Sequence, residues 1–143
     1  LAEMMKRQTE ILEKMMEKKV TALSFENLKD ESGHNPIVRS MSEIAGSAVM
    51  LIAGQYLSSA NNGKGMLLGG ISGIPPTKVI IIGAGIVGEH AARTALARGA
   101  SVKVFDNNIY KLKRLQNNIG VRMWTSVLEP KILAKQLKTV QSG

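Results

Sequence analysis

Apolar positions along this chain follow a helical rhythm first and a strand-and-helix alternation later, with a glycine-rich stretch between the two. In 2–19, Met4, Met5, Ile11, Leu12, Met15 and Met16 recur at helical spacing with Glu10, Glu13, Glu17 and lysines opposite. That pattern predicts an amphipathic helix whose methionines fill packing gaps. Val20, Ala22, Leu23 and Phe25 then read as a short strand, and 27–36 as a polar loop holding His34. Ser40 and Glu43 have the spacing of a capping box, so a second helix is expected to open at Ser40 and run through the uncharged segment 44–57. Being apolar nearly all round, it should be buried between layers or domains, with Gly46 and Gly54 admitting close neighbours. SSANNGKGMLLGGISGIPPTK (58–78) reads as a hinge or connecting loop.

The rhythm changes at Lys78. KVIII (78–82) is β-branched and apolar on both faces, as expected of a parallel strand covered on both sides. A helical pattern over 86–98 ends at Gly99, and SVKVF (101–105) is a second strand. A helix over 108–118 sets Ile109, Leu112, Leu115 and Ile119 on one stripe; 121–124 is a possible third strand and 130–138 a last helix. The order β-α-β-α-β-α implies a parallel sheet with right-handed crossovers.

Composition narrows the setting. The chain has 143 residues, 44% hydrophobic and 21% charged, and no cysteine, so it has no disulfide framework and no thiolate chemistry. A cytoplasmic setting is expected. The opening segment mixes acids and bases and lacks the apolar run of a signal peptide. The uncharged run 44–63 is long enough to suggest a membrane span, yet Gln55, Ser58, Ser59, Asn61 and Asn62 fit a buried helix better. The net charge of +8 arises wholly in 41–143, where twelve basic residues face four acidic ones. Tyr56, Tyr110 and Trp124 are not interleaved with a basic run, so nucleic acid is not expected as a partner.

The chemistry lies at GAGIVG, 83–88, between the first parallel strand and its helix, with an acid closing the next strand. This is the dinucleotide fingerprint in its required context. Gly83 permits the tight turn, Gly85 clears the approach of a pyrophosphate, and Gly88 lets helix and strand pack closely. Backbone amides of Ala84, Gly85, Ile86 and Val87 would face the phosphates at the positive end of the helix dipole. Asp106, eighteen residues after Gly88, is placed to accept the adenosine ribose hydroxyls, and its charge disfavours a 2′-phosphate. Asn107 and Asn108 follow it, with no arginine. The expected cofactor is therefore NAD.

The fold expected is α/β: a partial Rossmann-type doubly wound parallel sheet, preceded by a remnant of a second α/β domain and a long connecting helix. A complete dinucleotide fold has about six parallel strands, and about three follow Lys78. No catalytic residue is assigned: Glu89, His90 and Arg93 sit on the helix after the glycine turn, at the wrong end of a dinucleotide for hydride transfer, and His90 is read as structural. No metal-ligand spacing occurs.

MSEIAG (41–46) followed by GKGMLLGGISGIPPTKVIIIGAGIVGEHAARTALARGASVKVFD (63–106) resembles alanine dehydrogenase and the nicotinamide nucleotide transhydrogenase alpha subunit. The lead-in GGISGIPPTK is the most specific part. The resemblance implies reversible oxidative deamination of L-alanine to pyruvate and ammonium, with NAD taking the hydride and the family's catalytic lysine, histidine and aspartate outside this chain. It also implies cofactor contacts from Ser42, the 83–88 turn, Asp106, Lys111 beside the adenine, and Ser126. Three regions are expected: 1–40 as a remnant of the substrate domain, 41–60 as the interdomain helix, and 61–143 as the first half of the NAD-binding domain. The chain reads as a piece of a longer enzyme that takes a small-molecule substrate and forms a homo-oligomer, inactive by itself and without membrane contact unless it is the transhydrogenase. A non-catalytic NAD-sensing module is the alternative of another class.

Overall fold

A computed structural model describes residues 2–141. The chain divides after Ile37 into two compact units. The first holds helix α1 (Ala2–Glu17) and a short 3-10 turn at Phe25–Asn27. The strand expected over 20–25 is absent: Val20, Leu23 and Phe25 are exposed, and no described segment of this unit pairs with them. A strand without a partner leaves its backbone groups to water, and the local pattern alone cannot hold it.

Helix α2 (Pro36–Leu57) begins four residues before the expected Ser40. Pro36 explains the start, because its fixed φ and missing N–H suit the first helical position. Only one stripe of α2 is covered: Gly46 and Met50 are buried, and Ala53 and Leu57 pack on the core at the same helical face. Ile44, Leu51 and Tyr56 are exposed, against the expectation of a helix buried all round. α2 is the one described helix long and apolar enough to cross a membrane by length and composition, with a mean hydropathy of 1.3 over its most apolar window. Gly46 is a close-approach site, since a Cβ there would run into the Val87 carbonyl and come 2.7 Å from His90 Cβ. Gly54 is not, because a Cβ there would make ordinary contact with Leu68.

The second unit otherwise alternates strand and helix: β1 (Lys78–Ile82), α3 (Ile86–Ala97), β2 (Ser101–Phe105), α4 (Ile109–Ile119), β3 (Trp124–Ser126) and α5 (Pro130–Gln141). The strands form a parallel sheet in the order β1-β2-β3, with Ile82 level with Phe105 and Phe105 level with Ser126. This is half of a Rossmann-type sheet. Strand alternation sends Val79, Ile81, Val102 and Val104 into a core shared with Ala91, Ala92 and Ala95 of α3 and with Leu112 and Leu115 of α4. The alanines let α3 lie close to the sheet. Lys78 and Lys103 point to the other face, where Lys78 Nζ donates to the Thr139 carbonyl at 2.9 Å and Lys103 Nζ donates to Gln136, both on α5. Phe105 is fully buried against Trp124, with ring centroids 5.1 Å apart.

β1 is an edge strand with α3 and α5 packed on its two faces, as its apolar pattern predicts, while Ile82 at its end stays 60% exposed. Two details differ from the pattern. β3 falls at Trp124–Ser126 rather than 121–124, because register with Lys103, Val104 and Phe105 selects the later residues while Val121 stays exposed. Ile109 is exposed at the head of α4, so the buried stripe there is Leu112 and Leu115, with Ile119 packed against it.

Candidate functional site

The candidate site lies where the three strands end. The chain leaves β1 through Gly83, whose φ of +108° a side chain would strain, and its N–H donates to the Phe105 carbonyl at 2.7 Å. Ala84 is fully buried. Gly85 caps α3 in an extended conformation, and a Cβ built on it meets no protein atom within 4 Å. Gly88 is the reverse case, for a Cβ there would collide with the Gly83 carbonyl and touch Ile81 Cγ2 at 3.5 Å. Gly88 therefore answers to packing inside the protein, whereas nothing inside it requires Gly85. Ile86 and Val87 open α3, and the first amides of a helix have no intrahelical acceptor.

Asp106 follows β2 and is half-buried beside this turn. Its Oδ2 accepts the Ala84 N–H at 2.7 Å and its Oδ1 accepts the Asn108 N–H at 2.7 Å. These two bonds, from Ala84 first, hold its pKa below the usual carboxylate value, with the nearby charges of Lys111 and Arg114 adding to the effect. The carboxylate is thus ionised and fixed in place. Asn108 caps α4 through its side chain, accepting from the Tyr110 and Lys111 amides. Lys111 is exposed on the first turn of that helix. Ser126 closes β3: its carbonyl accepts the Asp106 N–H at 3.2 Å, and its hydroxyl donates to Val127 O at 3.0 Å.

The strand ends thus gather the 83–88 turn, Asp106 and Ser126, with Lys111 on the adjoining helix. Ser42 lies on α2, one turn before the Gly46 that approaches the Val87 carbonyl, and its hydroxyl donates to the Val38 carbonyl at 2.8 Å. His90 packs on α2, its Nε2 3.9 Å from Glu43 Oε1.

Motif spacing gave no sign of a polar knot behind the turn. Glu89 is buried on α3, and the Asn118 side-chain amide of α4 donates to both its carboxylate oxygens at 3.1 Å. Arg93 Nη2 lies 3.4 Å from Glu89 and donates to the Asn118 carbonyl at 3.1 Å. Arg114 Nε lies 4.0 Å from the same carboxylate, and its Nη2 donates to the Ala84 carbonyl at 3.1 Å. The i,i+4 spacing of Glu89 with Arg93 is visible in the sequence. Pairing with Arg114 and Asn118 is not, because it depends on how α3 and α4 lie together.

The profile of the family described as alanine dehydrogenase/PNT, C-terminal domain, matches residues 48–142. Alanine dehydrogenase of Methanococcus maripaludis is 36% identical over 124 residues, covering 87% of this chain and 33% of that protein. Alanine dehydrogenase of Mycolicibacterium smegmatis is 38% identical over 105 residues, covering 73% of this chain and 28% of its own length. A solved L-alanine dehydrogenase superposes with a TM-score of 0.70 at 35% identity, over 76% of this chain and 30% of that one. The chain spans about a third of the length of the curated relatives it matches. With its half Rossmann sheet and its glycine turn, it belongs to the alanine dehydrogenase/PNT C-terminal domain family, a family of nucleotide-binding domains.

Proposed function

We propose that this chain is the NAD-binding part of an oxidoreductase that acts as alanine dehydrogenases do. The observation that carries the reading is the contrast at the turn. Gly88 is demanded by packing against Gly83, while the space above Gly85 holds no protein atom and is bordered by the first amides of α3. That arrangement fits a pyrophosphate at a helix N-terminus. Gly85, Ile86 and Val87 would present their amides to the phosphates on a turn shaped by Gly83, Ala84 and Gly88. The Gly83 amide is already committed to the Phe105 carbonyl, and the Ala84 amide, expected to help at the phosphates, to Asp106. Asp106 would hold the adenosine ribose, with Lys111 at the adenine edge and Ser126 at the rim beside Asp106. Ser42 would contact the cofactor from α2. NAD, when bound, would accept the hydride of the substrate. The residues of this chain bind and orient its adenosine half, and the reacting groups belong to other parts of a longer polypeptide. Homo-oligomerisation, a small-molecule substrate and a cytoplasmic setting belong to the same proposal, with 1–40 as part of the substrate domain, 41–60 as the interdomain helix and 61–143 as the first half of the NAD domain.

The fluorescence of NADH and of NADPH titrated with the protein tests the cofactor assignment. NADH binds more tightly if Asp106 reads the ribose, and equal or tighter NADPH binding removes that role. Alanine-dependent reduction of NAD by the longer polypeptide tests the activity. The family description also names PNT, which favours a second reading: the NAD-binding part of a nicotinamide nucleotide transhydrogenase alpha subunit. Hydride exchange between two nicotinamides without any response to alanine would select it.

A further inference from the structure

The two peptide units that meet at Ala84 are each held by a charged side chain from a different element. The unit joining Gly83 to Ala84 is held through its N–H by Asp106 Oδ2, and the unit joining Ala84 to Gly85 through its carbonyl by Arg114 Nη2. The second unit is the one that glycine leaves free. Gly85 has φ −76° and ψ −170°, and rotating the Ala84–Gly85 peptide over would carry φ to positive values that glycine alone accepts readily. All peptides here are trans, so the Gly85 N–H points opposite to the Ala84 carbonyl and away from Arg114. A flipped peptide would present a carbonyl dipole where an amide now stands, and an anion there would be repelled.

Resting on the dinucleotide reading above, we propose that Arg114 is a positioning residue: it holds the Ala84–Gly85 peptide so that the Gly85 amide is presented to the pyrophosphate, and Glu89 and Asn118 hold Arg114 in reach. Glu89 is the anchor of this arrangement. Its carboxylate is buried, fixed through both oxygens by the Asn118 amide, and 4.0 Å from Arg114 Nε. Arg114 is otherwise half-exposed, with a side chain 48% accessible, so its geometry depends on these two contacts and not on tight packing. A guanidinium can serve a carbonyl and a carboxylate together, because its donors are spread along a planar fork.

The experiment compares Arg114→Met, Arg114→Lys and the unaltered full chain in their binding of NADH and of adenosine, by fluorescence and by ligand-observed magnetic resonance. Adenosine lacks phosphate and meets only the ribose and base contacts. Arg114→Met should bind NADH about tenfold more weakly and adenosine unchanged, while Arg114→Lys, which keeps a donor of nearly the same reach, should stay within about threefold of the parent. The Arg114→Met loss should persist at high salt, because a hydrogen bond to a carbonyl is screened less than a distant charge. Undiminished NADH binding by Arg114→Met overturns the inference and leaves the dinucleotide reading intact. Equal loss of adenosine and NADH overturns it in favour of a general structural role. Failure of the unaltered chain to bind NADH overturns both.

Discussion

The glycines of the 83–88 turn carry opposite obligations, and single substitutions separate them. Gly85→Ala adds a methyl into open space at backbone angles alanine accepts, so its melting temperature should match the parent while NADH affinity falls at least about tenfold through exclusion of the phosphates. Gly88→Ala drives a methyl into the Gly83 carbonyl and should cost about 2 kcal/mol, read by chemical denaturation. If both lose stability equally, the open space above Gly85 has no functional meaning. Asp106 carries a pH signature as well. Its folded-state pKa lies below the ordinary carboxylate value because the Ala84 and Asn108 amides and the nearby cations favour the charged form. The stability it contributes is fully present above the unfolded-state value and is lost as pH falls through the depressed folded one. Asp106→Asn should therefore flatten the acid side of the stability profile below the usual carboxylate range, leave the neutral region without that pH dependence, and narrow the preference for NADH over NADPH.

Among elements, α2 departs most from its apparent pattern. Its apolar residues surround it, yet only the stripe through Gly46, Met50, Ala53 and Leu57 is covered. Gly46 decides the contact, because it lets the α2 backbone meet the Val87 carbonyl at the head of α3. Gly46→Ala gains helix propensity but clashes there, for a net loss of about 1 kcal/mol in unfolding free energy, read by chemical denaturation; a gain would mean that this approach is not tight. The opposite face leaves Ile44 at 69% and Leu51 at 52% exposure. The pair Ile44→Lys and Leu51→Lys should change stability by less than about 0.5 kcal/mol, read by chemical denaturation, because no core contact is lost on that face; a larger loss would mean that these residues are covered in solution. The helical pattern of α2 was legible, but its burial was not, because periodicity reports how many faces are apolar and not how many neighbours exist to cover them.

At the scale of the whole molecule, the alternation after Lys78 predicted the parallel sheet, its crossovers and the position of the glycine turn, since two strands joined through a helix close in essentially one hand. GAGIVG and Asp106 stood out because the dinucleotide fingerprint asks for particular residue types at particular distances along the chain. Those are local or near-local constraints, so sequence by itself determined them. The strand expected over 20–25 failed, and β3 moved to Trp124–Ser126, because a strand exists only where another accepts its hydrogen bonds and register is set by that partner. The exposure of Ile82, and the meeting of Glu89, Arg114 and Asn118 behind Ala84, were likewise decided only by the tertiary structure. These are relations between elements far apart along the chain, and the pattern within either element is the same whether or not the other is present.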